Sequence, residues 1–276
     1  MYRVSKVLNN GVIAIDMDEN KEYVILGKGV GFGKKVSQRF DKPEGCTTYR
    51  LEQETERGSA KELVKGIEPE YLEIADAILT ESQKVFGDSI DRGILFPLAD
   101  HISFAVARIR RNEQISNPLT EDIKVLFYSE FKVAETLKTI LRERLQIEID
   151  DHEVGYVALH IHSAIGDEKV SVAMQTARAV RECIDMIEKA TGKPIDVLSL
   201  SYNRLMNHMK YMVARASTGE KLNLDMNEYM LDQYPQAYKV ATDICKNLEG
   251  CIGHNLDETE TGYLAMHIQR VYKDAV

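Results

Sequence analysis

Two segments of this chain recur 107 positions further along the sequence, and each copy carries a histidine at the same place. DHISFAVARIRR, which begins at Asp100, aligns with NHMKYMVARAST, which begins at Asn207. EVGYVALHIHSA, which begins at Glu153, aligns with ETGYLAMHIQRV, which begins at Glu260. Because both segments keep the same step, the sequence predicts two copies of one folded unit.

Four histidines and two arginines keep this step, namely His101, His160, His208, His267, Arg108 and Arg215. Apolar residues recur around them at helical spacing, which predicts that the motifs lie on amphipathic helices and that each copy is an α-helical bundle. The predicted buried residues of the first copy are Ile102, Ala105, Val106, Ile109, Val154, Val157, Ala158, Ile161 and Ile165.

The histidines are predicted to lie beside the apolar faces and not at their centres. On a helix, Arg108 returns to within about 20° of His101, so the two side chains share one flank. A half-exposed imidazole beside an arginine is suited to phosphorylation by a partner protein, because the guanidinium offsets the added negative charge. The alternative is that each ring only forms a hydrogen bond within its bundle.

His160 and His162 also form a His-x-His string, which is a pattern found in metal sites. On a helix, however, two such rings are about 200° apart and cannot chelate one ion. Gln269 stands in the second copy where His162 stands in the first. We therefore expect no metal and no other cofactor.

The first fifty residues are typical of short strands separated by turns. VSKVL, VIAID, EYVIL and TTYRL are rich in β-branched and aromatic residues, and Asn10-Gly11 signals a hairpin between the first two. Four such strands make a thin antiparallel sheet with little core, which pairing with a second copy would help to stabilise. The charged segment at residues 53–66 has no sustained apolar stripe and is interpreted as a connection.

Charge is unevenly distributed along the 276 residues: positions 1–50 contain nine Lys or Arg and six Asp or Glu, whereas the whole chain carries −9. A basic head can attract nucleic-acid phosphates over about 8 Å at physiological salt. The four cysteines lack Cys-x-x-Cys spacing, and no apolar run reaches membrane-spanning length. Since the first residues also lack a signal-peptide core, we expect a cytoplasmic location.

The string GKGVGFGKK, which begins at Gly27, contains four glycines around Phe32. It lacks the Lys-Ser/Thr ending of a nucleotide-binding P-loop, and no helical pattern follows it directly. Its glycine backbone could instead approach RNA closely, with the ring of Phe32 available to stack on a base. The alternative is a glycine-rich bulge in a strand.

These motifs together resemble transcriptional antiterminators of the BglG/SacY type. KVLNNG and ILGKGVGFGKK match the RNA-binding head, LADHISFAVAR and GYVALHIHSA the first phosphotransferase-system regulation domain, and LMNHMKYMVAR and GYLAMHIQR the second. GKGVGFGKK and ALHIHSA are most similar to the glucose-responsive branch. The resemblance implies a small antiparallel β RNA-binding domain (1–55), a linker (56–66) and two duplicated all-α helical-bundle regulation domains (67–169 and 170–276).

The resemblance also implies that the head dimerises and binds an RNA hairpin in the leader of a sugar-uptake transcript, which prevents termination. The four repeated histidines would take phosphate from the phosphocarrier HPr or a sugar-specific permease (enzyme II), with Arg108 and Arg215 supporting the phosphate. In the family that the chain resembles, permease phosphorylation, usually of the first domain, inhibits, and HPr phosphorylation, usually of the second, tends to activate. The RNA-contacting residues that it implies are Lys6, Asn10, Gly27, Lys28, Gly29 and Phe32.

The chain departs from the family pattern at two positions. Gly11 stands where many members have a third asparagine, which puts one hydrogen bond to RNA in doubt. Asn207 replaces Asp100 in the second copy, so the two sites need not respond alike. Phosphohistidines facing each other across a dimer would repel and separate the heads, whereas one facing an arginine would gain charge-assisted hydrogen bonds.

Two other classes of function remain as alternatives. A DNA-binding or protein-docking sugar-responsive regulator could use the same regulation domains, but it needs a helix-turn-helix head, which the predicted hairpin disfavours. A histidine-dependent metal enzyme would need a pocket shared by His160 and His162. Since no nucleophile, base and orienting residue combine in this sequence, we expect no enzymatic activity.

Overall fold

The computed structural model describes residues 1–52, 54–55, 58–166, 169–192, 194–196 and 199–274 of the chain. The chain divides into two compact units, the first made of Met1–Asn117 and Ser129–Val170 and the second of Pro118–Tyr128 and Ser171–Val276. No helix among these described residues is long and apolar enough to cross a membrane. The first unit therefore contains the N-terminal strands and most of the first repeated copy, and the second unit contains the second copy.

The N-terminal strands form one antiparallel sheet in the order β4-β1-β2-β3-β5. They are β1 (Tyr2–Val7), β2 (Gly11–Asp16), β3 (Glu22–Leu26), β4 (Arg39–Phe40) and β5 (Thr47–Arg50). A small core of buried side chains lies against the sheet, made of Val4, Val12, Ala14, Ile25 and Val30. The four predicted strands are confirmed, whereas the two-residue edge strand β4 is too short to produce an alternating pattern.

The hairpin between β1 and β2 is confirmed, but its turn differs from the one predicted. The Leu8 N–H donates to the Gly11 carbonyl at 2.9 Å and Val7 pairs with Val12, so the turn is centred on Asn9 and Asn10 and Gly11 begins β2. Asn10 and Gly11 both keep negative φ, whereas a two-residue Asn-Gly turn needs positive φ at both positions. Glycine is required here for another reason, because a Cβ on Gly11 would lie 2.6 Å from the Ile25 carbonyl oxygen.

Part of the charged segment at residues 53–66 is a helix and not the plain connection predicted. Its elements are β6 (Glu54–Thr55), β7 (Gly58–Ser59) and α1 (Ala60–Gly66). The Ser59 hydroxyl caps α1 by accepting the Glu62 N–H at 3.3 Å. Ala60 and Val64 are buried, and α1 packs against α3 (Leu95–Arg110). Two apolar residues one turn apart anchor this helix, and they are too few to form a recognisable stripe.

The helices of the first unit also include α2 (Pro69–Phe86), most of α5 (Tyr128–Ala134), α6 (Thr136–Leu145) and α7 (Asp151–Gly166). Helix α3 packs against both α2 and α7. The predicted buried faces of α3 and α7 are confirmed except at their ends, where Ile109 and Ile165 are only partly buried. Both histidine motifs of the first copy therefore lie on helices that pack against each other.

The helices of the second unit are α4 (Thr120–Leu126), α8 (Val170–Thr191), α9 (Leu200–Thr218), α10 (Asn227–Gln233), α11 (Pro235–Ile252) and α12 (Thr259–Asp274). Helix α12 packs against α9, α10 and α11. Helix α4 comes from the first copy, yet it packs on α9, where the buried Tyr202 hydroxyl donates to the Asp122 carboxylate at 3.3 Å. The sequence duplication and the compact units therefore do not coincide residue for residue.

Candidate functional site

The first histidine centre lies between α3 and α7. His101 on α3 and His160 on α7 face each other with ring centroids 5.3 Å apart and ring planes at 46°. The ring of Tyr156 lies 5.7 Å from that of His101. Tyr156 and His160 can both reach His101 because residues four apart share one face of a helix.

A buried glutamate and an arginine complete this first centre. Glu153, in the first turn of α7, is 4% exposed, and its Oε1 accepts a hydrogen bond from Arg108 Nη2 at 2.8 Å. Its Oε2 lies 3.5 Å from His101 Nε2, and neither of these buried atoms has a hydrogen-bond partner among the described residues. Burial raises the pKa of Glu153, but His101 and Arg108 together outweigh burial and hold that pKa below its ordinary value.

The second centre repeats this arrangement between α9 and α12. The rings of His208 and His267 stack with centroids 4.8 Å apart and planes at 26°. Glu260 accepts two hydrogen bonds from Arg215, at 2.6 Å from Nε and 3.0 Å from Nη2, and its Oε2 lies 3.6 Å from His208 Nε2. The Tyr263 ring lies 6.3 Å from that of His208. The repeat in sequence is thus also a repeat in side-chain geometry.

Burial keeps both imidazoles of the second centre neutral near pH 7. Burial lowers the pKa of His208 from 6.5 to about 3, with smaller contributions from the nearby His267 and Arg215. Burial, together with Arg270 and Arg204, lowers the pKa of His267 to about 4. A neutral imidazole keeps a lone pair on one ring nitrogen, which is the form that can act as a nucleophile.

In the head, the β1–β2 loop and the glycine string form one surface. Gly31 is buried, and a Cβ there would lie 2.6 Å from the Gly11 carbonyl oxygen and 3.0 Å from those of Leu8 and Asn9. Only glycine permits this close approach of two backbones. We refer to residues 8–11 and 27–33 together as the loop surface.

Phe32 projects from the loop surface and is 88% exposed. Gly29 and Gly33, on either side of it, adopt the left-handed backbone with φ of 77° and 68°. Lys28 and Lys6 are also exposed. An outward aromatic ring with lysines and glycine backbone nearby is suited to stacking on a nucleic-acid base.

Five of the six predicted RNA-contacting residues lie on the loop surface, and Lys6 lies on β1. Strand β3 ends before Gly27, so the glycine string is a loop, and the alternative of a strand bulge is wrong. Asn10 is exposed, yet its backbone N–H and its Nδ2 donate to the two carboxylate oxygens of Glu73 in α2, at 3.1 and 2.9 Å.

Known protein families match both the N-terminal head and the two histidine-containing copies. The PRD domain matches residues 76–164 and 181–271, and the CAT RNA binding domain matches residues 2–58. The chain is a PRD-containing antiterminator of the BglG/SacY type. The alternative of a regulator with a helix-turn-helix head is wrong, since the head of this antiterminator is a β-sheet.

Relatives cover nearly the whole antiterminator. The GlcA/glcB genes antiterminator of Staphylococcus carnosus (strain TM300) is 30% identical over 274 residues, 97% of this chain and 94% of the relative. Protein GlcT of Staphylococcus haemolyticus (strain JCSC1435) is 28% identical over 270 residues, 97% and 95% of the two chains. Transcription antiterminator LicT of Bacillus subtilis (strain 168) is 26% identical over 277 residues, 99% and 100%.

Among solved structures, that of GlcT CAT-PRDI is similar with a TM-score of 0.51 at 28% identity, covering 60% of this chain and 98% of that one. These findings confirm the predicted fold class, the function of an RNA-binding antiterminator and its regulation through PRD domains. They also confirm the similarity to GlcT proteins.

The antiterminator's histidines are more deeply buried than predicted. His101 and His160 are 8% and 6% exposed, and the side chain of His208 is also 8% exposed. The prediction of a half-exposed ring beside the apolar face is therefore wrong for these three histidines, whereas His267 is partly exposed. The reason is that the rings of His101 and His208 are each covered by a histidine, a tyrosine and a buried glutamate from the facing helix, which the pattern of a single helix cannot reveal.

Glu153 and Glu260 are the site residues that sequence reasoning missed. Both begin the repeated segments and keep the 107-residue step, so the signal was present in the alignment of the two copies. An acidic residue in the first turn of a helix is commonly explained by its interaction with the helix dipole. Its contact with an arginine and a histidine on a facing helix is therefore easily overlooked.

The metal-enzyme alternative fails on geometry. His160 faces His101, whereas His162 Nδ1 lies 2.9 Å from Glu130 Oε1. The two rings therefore have different partners, as their spacing on a helix requires. Within the described part of the chain, no group of three or more His, Cys, Asp or Glu side chains could hold a metal ion.

Proposed function

We propose that this antiterminator binds an RNA hairpin in the leader of a sugar-uptake transcript and that phosphorylation of its four repeated histidines controls it. The donors are the phosphocarrier HPr and a sugar-specific permease, and the acceptors are His101, His160, His208 and His267. The observation that carries the proposal is the duplicated centre, in which two imidazoles lie beside a buried Glu–Arg pair in each copy. Arg108 and Arg215 support the phosphate.

Phosphorylation changes the charge balance of each centre. The acceptor nitrogen attacks phosphorus, the N–P bond forms, and the donor leaves with the electrons of its own bond to phosphorus. The phosphoryl group adds a charge of about −1.5 to −2 beside a buried carboxylate. Two unit charges 4 Å apart repel by about 4 kcal/mol at an effective dielectric of about 20. The arginine therefore turns from the glutamate to the phosphate, and the helix pair is loosened.

Because the rings of His101, His160 and His208 are buried, the donor reaches them only after local opening of the helix pair. A small local opening costs less than unfolding of the whole unit, so burial slows the transfer without preventing it. The state of each centre is then linked to the packing of α3 on α7, or of α9 on α12.

The loop surface is proposed to contact the RNA hairpin. Phe32 stacks on an unpaired base, Lys6 and Lys28 contact phosphates, and the backbone and amide groups of Asn10, Gly27 and Gly29 contact base or sugar edges. The sheet has a small core and a two-residue edge strand, which supports its action as a homodimer. We place this dimer in the cytoplasm. We also propose the same domain division as above, with an RNA-binding domain (1–55), a linker (56–66) and two regulation domains (67–169 and 170–276).

The phosphorylation proposal is tested with the full chain, phosphoenolpyruvate, enzyme I and HPr, with and without a permease. Phosphohistidine is located by mass spectrometry in the wild type and in His101→Ala, His160→Ala, His208→Ala and His267→Ala. His254→Ala is the matched control, because His254 is exposed and outside both centres. Each centre variant should lose one phosphosite. Absence of phosphate from the wild type, or phosphate only on His254, contradicts the proposal.

The RNA proposal is tested with a hairpin selected from a randomised hairpin library by the wild-type chain. Phe32→Ala should weaken binding by about 5- to 150-fold, the equivalent of about 1–3 kcal/mol for a stacked base. Val36→Ala is the control, since Val36 is also exposed at 62% but lies outside the loop surface. Equal affinities for Phe32→Ala and Val36→Ala would reject the stacking role.

A further inference from the structure

A carboxylate from the first regulation domain covers part of the loop surface. Both oxygens of Glu73 are engaged, one by the Asn10 backbone N–H at 3.1 Å and the other by Asn10 Nδ2 at 2.9 Å. The Glu73 side chain is 14% exposed, and Arg144 Nη1 lies 3.7 Å from the same Oε2. Glu73 and Asn10 belong to the same compact unit, so this contact is part of one packed body.

The same helix anchors the head one turn further on. The Asp76 carboxylate accepts hydrogen bonds from the Tyr49 hydroxyl and from Arg92 Nη2, the latter at 2.8 Å. Arg92 Nη2 also donates to the Tyr49 hydroxyl at 2.8 Å, and Tyr49 is 3% exposed. This part-buried anchor holds β5 on α2, and residues three apart on a helix share a face. The anchor therefore presents Glu73 to the loop surface.

We propose that Glu73 is an autoinhibitory residue that competes with RNA for Asn10. The inference rests on the proposed function, in which the loop surface binds the hairpin. Glu73 occupies the two hydrogen-bond donors that Asn10 would offer to RNA, and it places a negative charge where phosphates approach. RNA binding then displaces Glu73, while the Asp76–Tyr49–Arg92 anchor stays closed.

Arg144 makes the contact reversible. Once Asn10 turns to RNA, the Glu73 carboxylate keeps a cation close to it, so its release does not leave an unpaired anion against the helix. Arg144 belongs to α6, and α6 packs on α2. A change in the packing of these two helices would therefore change how firmly Glu73 holds Asn10.

The size of the effect follows from the two hydrogen bonds that RNA has to replace. Hydrogen bonds to a charged group are stronger than those between neutral groups, and the partial exposure of this contact weakens them. Removal of Glu73 should therefore tighten hairpin binding by about 3- to 20-fold. Loss of the charge alone gives a smaller gain in the same direction.

The test uses the full chain and the same selected hairpin. Glu73→Ala is compared with Glu81→Ala, which removes the same charge from the same helix but whose partner is the surface residue Lys84 at 2.6 Å. Glu73→Gln is a second variant that keeps the side-chain size. Hydrogen exchange without RNA gives an independent reading: the Asn10 amide should exchange faster in Glu73→Ala, while the amides of β1–β3 stay protected.

A tighter hairpin complex for Glu73→Ala and an unchanged one for Glu81→Ala would support the proposal. An equal gain in both variants would show a general effect of charge and overturn it. Unchanged or weaker binding by Glu73→Ala with a protected sheet also overturns it, and if Phe32→Ala still loses binding, the proposed function stands without it. If neither the wild type nor Glu73→Ala binds any hairpin, both proposals fail.

Discussion

The two histidine centres contain the same kinds of residue but differ in how firmly their glutamates are held. In the second centre Arg215 binds Glu260 through two nitrogens, at 2.6 and 3.0 Å. In the first centre Arg108 donates one hydrogen bond to Glu153 at 2.8 Å. The side chain of Arg215 is 15% exposed and that of Arg108 is 26% exposed. The Arg215–Glu260 pair is therefore less exposed to solvent than the Arg108–Glu153 pair and has one more hydrogen bond.

This difference shows that a duplicated sequence can give two unequal acceptors. A bidentate Arg–carboxylate pair is more strongly held than a single hydrogen bond, and burial strengthens both. Since phosphorylation has to separate glutamate from arginine, the second centre resists that change more than the first. Asn207, which replaces Asp100, adds a further difference in charge next to the first histidine of each pair.

The largest expected effect concerns stability. Glu260→Ala leaves Arg215 buried without its partner and should lower the free energy of unfolding of the second unit by about 3–5 kcal/mol, whereas Glu153→Ala should cost the first unit about 1–3 kcal/mol because Arg108 is better hydrated. Urea unfolding followed by hydrogen exchange measures each unit separately, as a two-unit protein requires. Glu258→Ala, an exposed neighbour, is the control. Equal losses of unfolding free energy in the two units would contradict the conclusion that Glu260 is held more firmly than Glu153.

Low pH should also affect the contributions of the two centres to stability differently. The folded pKa values of His208 and His267 are about 3 and about 4, against 6.5 without the fold, so the unfolded chain binds more protons below pH 6.5. Stability from these rings is complete above pH 6.5 and falls as pH drops, by at most about 2 kcal/mol for each ring at about pH 5. The lowered pKa of Glu153 acts in a different window, since its contribution is present above pH 4.5 and lost below it.

Urea unfolding of the second unit at about pH 7 and about pH 5 measures this dependence. Replacing both rings in a His208→Gln, His267→Gln double variant should flatten it, because glutamine does not titrate. A second unit that is equally stable at both pH values in the wild type would show that these imidazoles are protonated inside the fold.

The sequence alone predicted the parts of the fold that are duplicated along the chain or that show a regular pattern of apolar residues. The strand pattern predicted the sheet, and the 107-residue step predicted two copies of one helical unit with two matching histidines in each. The contact between His101 and His160 within one copy was not predicted, because it depends on how two helices pack. Burial of those rings depends on what the facing helix contributes, which the periodicity of one helix does not contain. The contact between Asn10 and Glu73 joins residues 63 apart and leaves no local signal.

The smallest expected effect is on phosphate transfer and tests the charge argument directly. Glu153→Gln and Glu260→Gln keep the size of the side chain but remove the anion beside the acceptor, so phosphohistidine should form about 3- to 10-fold faster with phosphorylated HPr. The gain should be larger for Glu260→Gln, because its arginine is released from two hydrogen bonds and can turn to the phosphate. Glu148→Gln, at the surface ion pair with Arg142, is the control. Slower transfer in either centre variant would instead indicate that the carboxylate positions the ring for attack. The difference in transfer rate between the two centres would then have to arise from their histidine rings.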